Sequence, residues 1–349
     1  MEFLLPAIFS FLITVFLIPP TIKFAKKYNL LDNPKLRPHP AHTQMRIVPR
    51  AGGLPIFFAL FLAILFFIPF EKNILSILAS LTVLLIVGLL DDKYQNLSPY
   101  FRLFSQFIAA AILVISGVGI NFITNPLGGI IHLDFIEFLP DILALIWIVW
   151  VMNMINWSKG VDGQMPGIVT VAAFILGLLS LKLNNLGDPS QTGVARLSFI
   201  TAGSSLGLLI FNWYPAKIFP GFSGSTILGF MIGALAIFSG GKLATAILVL
   251  LIPATDFAYT FFRRILQGKS PVWGDREHLH HKLIDRGFNH QQISLFYILV
   301  SVILGAAALS LSSQGKLFAS ILVASAILGI ILWLNFFGGL SKPQDPDNG

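Results

Sequence analysis

The chain of 349 residues is 55% hydrophobic and only 11% charged, with a mean hydropathy of +0.81. Soluble domains carry about a quarter charged residues, so this composition excludes an ordinary soluble protein, and its hydrophobicity excludes a disordered one. There is no cysteine, which rules out disulfides, thiolate metal sites and cysteine nucleophiles. The formal net charge is +7, and in a membrane protein the positions of those charges carry the information.

Apolar segments long enough to cross a bilayer recur along the whole chain. A spanning helix needs about 20 mostly apolar residues. Eleven segments meet this condition, beginning near Phe3, Leu54, Ile74, Phe101, Leu139, Met165, Ala195, Ser223, Leu243, Ile293 and Leu317. We therefore predict an all-α polytopic membrane protein with about eleven transmembrane helices. Residues 1–340 are expected to form one membrane domain and residues 341–349 a polar, disordered cytoplasmic tail.

The Lys and Arg residues predict the orientation. When the connecting loops are assigned alternately to the two sides, one side receives most of the 23 basic residues. The other side contains only Lys72, Lys182, Arg196, Lys242 and Lys316. Because basic residues are retained in the cytoplasm, the amino terminus is predicted outside and the carboxyl terminus in the cytoplasm. On the outer side, apolar residues flanking residues 125–129 predict a short hairpin.

Two adjacent acids end the third predicted span on the basic side. Asp91 and Asp92 repel each other and lie near the negative end of the helix dipole, both of which are unfavourable. A single acid there would be an ordinary solvated helix stop. Two acids, followed by Arg102 in the next helix, indicate a functional site. Paired carboxylates suit a general base, a metal-bridged phosphate, or both.

Asn and Gly residues mark two further segments on the same side. Asn153 and Asn156 are three residues apart and so share a helical face. The Gly-Val-Asp-Gly motif at 160–163 breaks the helix and exposes backbone amides, as an anion or nucleotide site requires, although Gly and Asp also form plain turns. Residues 212–225 form either a tight turn or a second edge of the anion or nucleotide site predicted at 160–163.

Asp256 lies within the ninth predicted span, where an unpaired acid costs about 2.5–3.5 kcal/mol. It is a candidate for a site or a proton relay, unless it simply pairs with Arg263 or Arg264. An ion-coupled transporter that used Asp256 and nearby histidines is therefore an alternative function. Such a transporter would place polar residues on both membrane faces and along the middles of spans, which is not the pattern of this sequence.

The last basic loop contains His278, His280 and His281. Asp275 is predicted to cap a short helix on which His278 and His281 share a face and His280 is turned to the side. Together with the neighbouring Arg276, the histidines indicate anion binding or proton transfer. A zinc site is the competing interpretation, but the chain has no cysteine and no His-Glu-x-x-His spacing.

In this order, the motifs resemble the polyprenyl-phosphate N-acetylhexosamine-1-phosphate transferases of the glycosyltransferase 4 type. The resemblance runs from the Arg-Ala-Gly-Gly at 50–53 to Gly287. The Asp-Arg-Glu-His-Leu-His-His segment at 275–281 is closer to the undecaprenyl-phosphate GlcNAc-1-phosphate transferases than to the phospho-MurNAc-pentapeptide branch.

The resemblance implies a multi-pass enzyme of the plasma membrane with a cytoplasmic active site. It would transfer HexNAc-1-phosphate from a UDP-N-acetylhexosamine to polyprenyl phosphate and release UMP, initiating a cell-envelope glycan of the cell-wall or lipopolysaccharide kind. The implied partners are these two substrates, membrane lipid and a second copy in a homodimer, with no nucleic acid. The implied cofactor is Mg²⁺.

The resemblance also implies roles for individual residues. The catalytic residues would be Asp91, Asp92, Arg102 and Lys159. The substrate-binding residues would be Arg50, Asn153, Asn156, Asp162, Asn212, Phe219, Asp256, Arg276, His278, His280 and His281. The metal would be held by Asn156 and Asp92.

Three positions depart from the family pattern. Lys159 replaces an Asp, Phe222 replaces a metal-binding Asp, and Gln95 ends an Asp-Asp-x-x-Asp pattern. The changes at Lys159 and Phe222 remove three units of negative charge, so a divalent cation should bind less tightly than in relatives, or be dispensable. Either Lys159 takes over part of the metal's electrostatic role in an active enzyme, or the protein is an inactive member that binds UDP-sugar or lipid phosphate without turnover.

Overall fold

The computed structural model describes residues 1–36, 42–43, 45–125, 128–240, 242–273 and 276–337. Within these residues the chain is largely helical. The helices are α1 (Leu4–Lys27), α2 (Gly53–Phe67), α3 (Lys72–Tyr94), α4 (Pro99–Ile115), α5 (Leu139–Trp157), α6 (Gln164–Asn185), α7 (Gln191–Asn212), α8 (Gly221–Phe238), α9 (Leu243–Val249), α10 (Leu251–Leu266), α11 (Leu279–Asp285), α12 (His290–Ser310) and α13 (Ser313–Phe337). The strands are β1 (Leu31–Asp32), β2 (Val48–Pro49), β3 (Phe122–Thr124) and β4 (Ile130–His132).

Each of the predicted apolar segments is helical. Among the described residues, eight helices are long and apolar enough to cross a membrane. Helices α9 and α10, bent by 88° at their junction, form either a ninth, broken span or a re-entrant loop. The segments predicted at Leu54 and Phe101 form the shorter apolar helices α2 and α4. The all-α polytopic membrane fold is therefore confirmed, while the number of complete spans and their orientation stay predictions.

The helix ends that are poor in basic residues meet at one end of the bundle. Lys182, near the end of α6, donates to the carbonyl of Leu309, near the end of α12, over 3.0 Å. Arg196, in the first turns of α7, pairs with Glu2 beside the start of α1 and lies 3.5 Å from the carbonyl of Phe67, at the end of α2. These contacts bring the starts of α1 and α7 together with the ends of α2, α6 and α12, as the predicted alternation of the chain requires.

The basic loops interlock at the opposite end. Strands β1 and β2 pair as an antiparallel ribbon in the loop between α1 and α2. The carbonyl of Pro49 in β2 accepts a hydrogen bond from the amide of Phe219, over 2.7 Å. Thr43 Oγ1 in the same loop donates to the carbonyl of Gly160, over 2.6 Å. The first loop therefore holds the α5–α6 and α7–α8 loops beside each other.

The predicted hairpin is confirmed, since β3 and β4 pair antiparallel with Ile123 opposite Ile131. Residues 126 and 127 of its turn, the tail at 341–349 and Asp275 lie outside the described residues.

Helix α8 is the central helix of the bundle, with 94% of its length buried. Two glycines bring α2 and α3 against its first turn: a Cβ on Gly88 would lie 2.3 Å from the Cα of Ser223, and a Cβ on Gly53 would lie 2.4 Å from the Cβ of Ser223. Asp92 follows Gly88 by four residues and so lies on the same face of α3. The close approach at Gly88 therefore places Asp92 beside the amino-terminal end of α8.

Replacing Gly88 by Ala should destabilise the fold, because the added methyl group would push α3 away from the backbone of α8. Overpacking of this kind costs about 1–3 kcal/mol, and it should lower the apparent unfolding temperature in detergent. Gly329→Ala in α13 is the matched control, since a Cβ there meets nothing within 4 Å. Equal unfolding temperatures for the two variants would contradict this account of the packing.

Candidate active site

A cavity of about 1220 Å³ opens among the interlocked loops. Ten of the predicted site residues line it: Arg50, Asp91, Arg102, Asn153, Asn156, Lys159, Phe219, His278, His280 and His281. The structure thus brings one of the twin aspartates and the histidine cluster, which are distant in sequence, to the same space. The predicted transferase function requires that these two groups of residues lie together.

The other side of the cavity is apolar. Its wall is formed by residues of α4, α5 and α10, namely Leu103, Phe107, Ile146, Val149, Trp150, Phe257, Phe261 and Phe262. Phe262 and Ile146 are also exposed on the outer surface of the bundle. The cavity therefore joins a charged base to an apolar wall that reaches the lipid-facing surface.

Asp92 is completely buried and binds the first turn of α8. Its Oδ1 accepts a hydrogen bond from the amide of Phe222 over 2.6 Å, and its Oδ2 accepts from the amide and hydroxyl of Ser223 over 3.2 and 2.5 Å. Gly221, with φ of +71°, permits this approach, because a Cβ there would lie 2.3 Å from Asp92 Oδ2. Asp92 therefore does not line the cavity, and Asp91 is the member of the pair that does.

Arginine side chains pair with the acids at the base of the cavity. Arg102 Nε lies 2.7 Å from Asp91 Oδ1. Arg50 lies between two carboxylates, with Nε 3.7 Å from Asp92 Oδ1 and Nη1 3.5 Å from Asp32 Oδ1. These guanidinium groups present fixed positive charge to the cavity, because arginine stays protonated at all ordinary pH values.

Lys159 supplies a third positive charge. Its Nζ donates to Asn156 Oδ1 over 2.6 Å, to the carbonyl of Gly221 over 3.1 Å and to Ser225 Oγ over 3.4 Å. Burial and the neighbouring Arg50 guanidinium lower the pKa of Lys159 to about 7. A phosphate bound beside Lys159 would stabilise the charged ammonium, since an opposite charge favours the ionised form.

These residues do not fit a magnesium ion. Mg²⁺ requires near-octahedral oxygen coordination at close range, but Asn156 Oδ1 already accepts from Lys159 Nζ and from Ser225 Oγ, at 2.6 and 2.8 Å. Both oxygens of Asp92 accept from α8. Across the described ranges, no three His, Asp or Glu side chains are grouped so as to hold a metal ion. This finding applies equally to the alternative of a zinc site.

Asp256 positions the histidine loop. Its Oδ2 lies 2.9 Å from His278 Nδ1, and its Oδ1 accepts from the amide of Leu279 over 2.8 Å. Because an ionised carboxylate only accepts hydrogen bonds, this contact requires the proton of a neutral His278 ring to be on Nδ1. Asp256 itself does not line the cavity.

The prediction for the histidine helix was wrong in two respects. Helix α11 begins at Leu279, so His278 precedes it as the N-cap and shares no helical face with His281. His280 is not turned aside but lines the cavity, with its ring stacked on that of His278 at 5.6 Å and 4.3 Å from that of His281. Gly160 makes room for His280, because a Cβ there would lie 2.2 Å from its Nε2.

The histidines on α11 are neutral near pH 7. Burial holds the pKa of His280 well below its usual value, with the other histidines adding to the effect. Burial and the charge of His278 lower the pKa of His281 to about 4. These rings therefore offer neutral N–H donors to a bound anion rather than positive charge.

Three other predicted binding residues lie away from the cavity wall, and two of these support its loops. Asp162 Oδ2 accepts from Arg46 Nη2 over 2.5 Å and from the amide of Ala216 over 2.9 Å. Burial alone would raise the pKa of Asp162, but the neighbouring His290 ring and these hydrogen bonds hold it below its usual range. Asn212 Oδ1 accepts from the amide of Gly163 over 3.0 Å.

Arg276 is the third predicted residue away from the wall. Its Nη2 lies 2.6 Å from Asp285 Oδ1, and both side chains are about half exposed. The structure thus places Arg276 on the outer side of the histidine helix.

The first loop supplies cavity residues that sequence reasoning missed. Asp32, His42 and Thr43 line the cavity, and Asp32 Oδ1 lies 3.5 Å from His42 Nε2. Apart from Arg50, which was predicted to bind substrate, the loop's basic residues were read only as a cytoplasmic signal. The available sign was Asp32 itself, an acid within a basic segment that the structure buries beside Arg50.

Fold and site together define a multi-pass membrane protein with a cation-lined cavity suited to anions. Residues 74–240 match the model of the family described as Glycosyl transferase family 4. The chain is 30% identical to a "Probable undecaprenyl-phosphate N-acetylglucosaminyl 1-phosphate transferase" of Bacillus subtilis (strain 168), over 86% of this chain and 83% of that protein. It is 26% identical to a "Decaprenyl-phosphate N-acetylglucosaminephosphotransferase" of Mycobacterium tuberculosis (strain ATCC 25618 / H37Rv), over 99% and 92% respectively.

The chain therefore belongs to glycosyl transferase family 4, in the branch of the polyprenyl-phosphate N-acetylglucosamine-1-phosphate transferases. The resemblance seen in its motifs is confirmed, and the protein is an enzyme of the sugar-phosphate transferase class.

The buried His281 should make stability depend on pH. Its pKa in the folded state, about 4, lies below the ordinary 6.5, so protonation favours the unfolded chain. The stabilisation is complete above pH 6.5 and is lost as the pH falls towards 4, at up to about 1.4 kcal/mol per pH unit. Thermal unfolding in detergent across this range should show a shallower decline for His281→Gln than for the unmodified protein. His132→Gln, at the exposed hairpin, should leave the decline unchanged, and equal slopes for all three proteins would contradict the burial argument.

Proposed function

We propose that the protein transfers HexNAc-1-phosphate from a UDP-N-acetylhexosamine to polyprenyl phosphate and releases UMP, as the first step of a cell-envelope glycan. The observation that carries this proposal is a single cavity with a cationic base and an apolar wall that reaches the lipid-facing surface. One part suits a water-soluble diphosphate and the other suits a lipid. The names of the relatives support GlcNAc as the transferred sugar.

The cationic base suits the diphosphate of the donor. Phosphoryl transfer between two anions needs positive charge that neutralises the phosphates and stabilises the transition state. Arg50, Arg102 and Lys159 line the base of the cavity. The neutral rings of His280 and His281 add N–H donors to the same space.

The apolar wall suits the acceptor. A polyprenyl chain would lie along Phe257, Phe261 and Phe262 of α10, with its phosphate at the charged base. A phosphate oxygen of the lipid attacks the phosphorus that carries the sugar, a new P–O bond forms, and the P–O bond to UMP breaks. Asp91, the carboxylate that lines the cavity, is assigned as the general base or as the group that organises charge. Its pairing with Arg102 fixes that guanidinium beside the reacting phosphates.

The cytoplasmic face of the plasma membrane is the proposed location of the reaction. The loops that form the cavity carry most of the basic residues of the chain, and basic loops are retained in the cytoplasm. The contacts of Lys182 and Arg196 at the opposite end of the bundle support this assignment.

The proposal is tested with purified protein in lipid nanodiscs, labelled UDP-GlcNAc and undecaprenyl phosphate. We expect labelled lipid and UMP in equal amounts. Arg102→Ala should lower the rate by roughly 10²–10³-fold, as removal of a transition-state donor does. Lys269→Ala removes the same charge from an exposed side chain that does not line the cavity and should leave the rate unchanged. Binding of UDP-GlcNAc and of other UDP-N-acetylhexosamines without any product would replace the proposal by that of an inactive binding protein.

Asp256 should act through His278 rather than on the substrate. Asp256→Asn offers an amide to His278 Nδ1 and disturbs the ring's tautomer, so kcat should fall by roughly 10²-fold, with a smaller change in KM. In a His278→Gln background the same Asp256→Asn change should have little further effect, because the ring that it positions is gone. Additive losses in kcat across the two sites would show that Asp256 has a separate role.

A further inference from the structure

We infer that Lys159 is the built-in cation of this active site and that the protein binds and transfers its phosphates without a divalent metal ion. This inference rests on the proposed function for the identity of the substrate, but its cation chemistry can be tested separately. The relevant observations are the contacts of the Lys159 ammonium, the position of Phe222 and the pairing of the neighbouring carboxylates.

The Lys159 ammonium occupies a cage of oxygen atoms. An ammonium group has three donors, and Nζ lies 2.6 Å from Asn156 Oδ1, 3.1 Å from the carbonyl of Gly221 and 3.4 Å from Ser225 Oγ. Amide, carbonyl and hydroxyl oxygens are also ligands of hard cations. The cage is therefore suited to one positive charge, and the chain itself supplies that charge.

Phe222 belongs to the same arrangement. Its ring lies near two cations, with its centroid 5.8 Å from Lys159 Nζ and 5.6 Å from Arg102 Cζ. An aromatic face attracts cations at this range by about 0.5–2 kcal/mol, so the ring helps to hold both groups beside the cavity. A carbon ring also provides no ligand for a metal ion. Lys159 and Phe222 therefore form one unit that replaces a metal site rather than two unrelated changes.

The carboxylates around the cage are already paired. Asp91 pairs with Arg102, Asp92 accepts hydrogen bonds from the first turn of α8, and Asp32 lies beside Arg50. The charges of these three carboxylates are thus balanced by Arg102, Arg50 and Lys159 without a metal ion. A divalent ion entering this site would have to displace Lys159 or leave an excess of two positive charges, and both cost free energy in a buried site.

Direct measurement of divalent cation binding tests the inference independently of activity. Mn²⁺ is the probe, and its free concentration is followed by electron paramagnetic resonance during titration of the detergent-solubilised protein. We expect no stoichiometric binding to the unmodified protein. The variant that combines Lys159→Asp with Phe222→Asp opens the cage and adds two carboxylates, and it should bind one Mn²⁺ per chain. Lys269→Asp, which makes the same charge change as Lys159→Asp on an exposed loop, should bind none.

Activity provides the second measurement. Transfer of labelled GlcNAc-phosphate by the unmodified protein should be unchanged by EDTA, and Lys159→Met, which keeps the length of the side chain and removes the charge, should lower the rate at least about tenfold. Binding of UDP by the Met variant shows that it is folded. Stoichiometric binding of Mn²⁺ by the unmodified protein, or loss of transfer in EDTA with recovery in Mg²⁺, would overturn the inference while leaving the proposed function intact. Absence of transfer under every condition would refute the proposed function, and the Mn²⁺ titration would still decide whether Lys159 is the resident cation.

Discussion

The contact between Asp92 and the first turn of α8 is the constraint on which the site depends. The carboxylate accepts from the amides of Phe222 and Ser223, a favourable arrangement because the amino-terminal end of a helix carries partial positive charge. The same turn provides the Gly221 carbonyl to Lys159. One turn of helix therefore aligns the aspartate pair of α3 with the lysine of the α5–α6 loop, and glycines at the helix contacts make the necessary approach sterically feasible.

Much of the architecture could be predicted from the sequence because a membrane makes hydrophobicity informative. Apolar segments of the right length became helices, and the basic loops became one interlocked end of the bundle. The polar residues of those loops could be assigned to one region on the same grounds. Their scarcity in an apolar chain was the signal, since a polar side chain near lipid is costly unless it has a partner or a function.

The use of each polar side chain could not be predicted in the same way. Asp91 and Asp92 are adjacent in sequence, yet Asp91 lines the cavity while the carboxylate of Asp92 accepts hydrogen bonds from backbone amides. Asp162 and Asp256 likewise support loops rather than face the cavity. These outcomes depend on which amides the fold leaves without partners, and that is a property of tertiary structure. Asp32 of the first loop was missed for a related reason, because the abundant positive charge around it obscured this buried acid.

The sharp bend between α9 and α10 has a consequence for how a lipid would reach the cavity. Helix α10 departs from α9 at 88°, and its Phe257, Phe261 and Phe262 line the cavity, with Phe262 also exposed on the outer surface of the bundle. For the proposed reaction, the lipid would therefore approach along the apolar wall, apart from the charged residues where a diphosphate would bind.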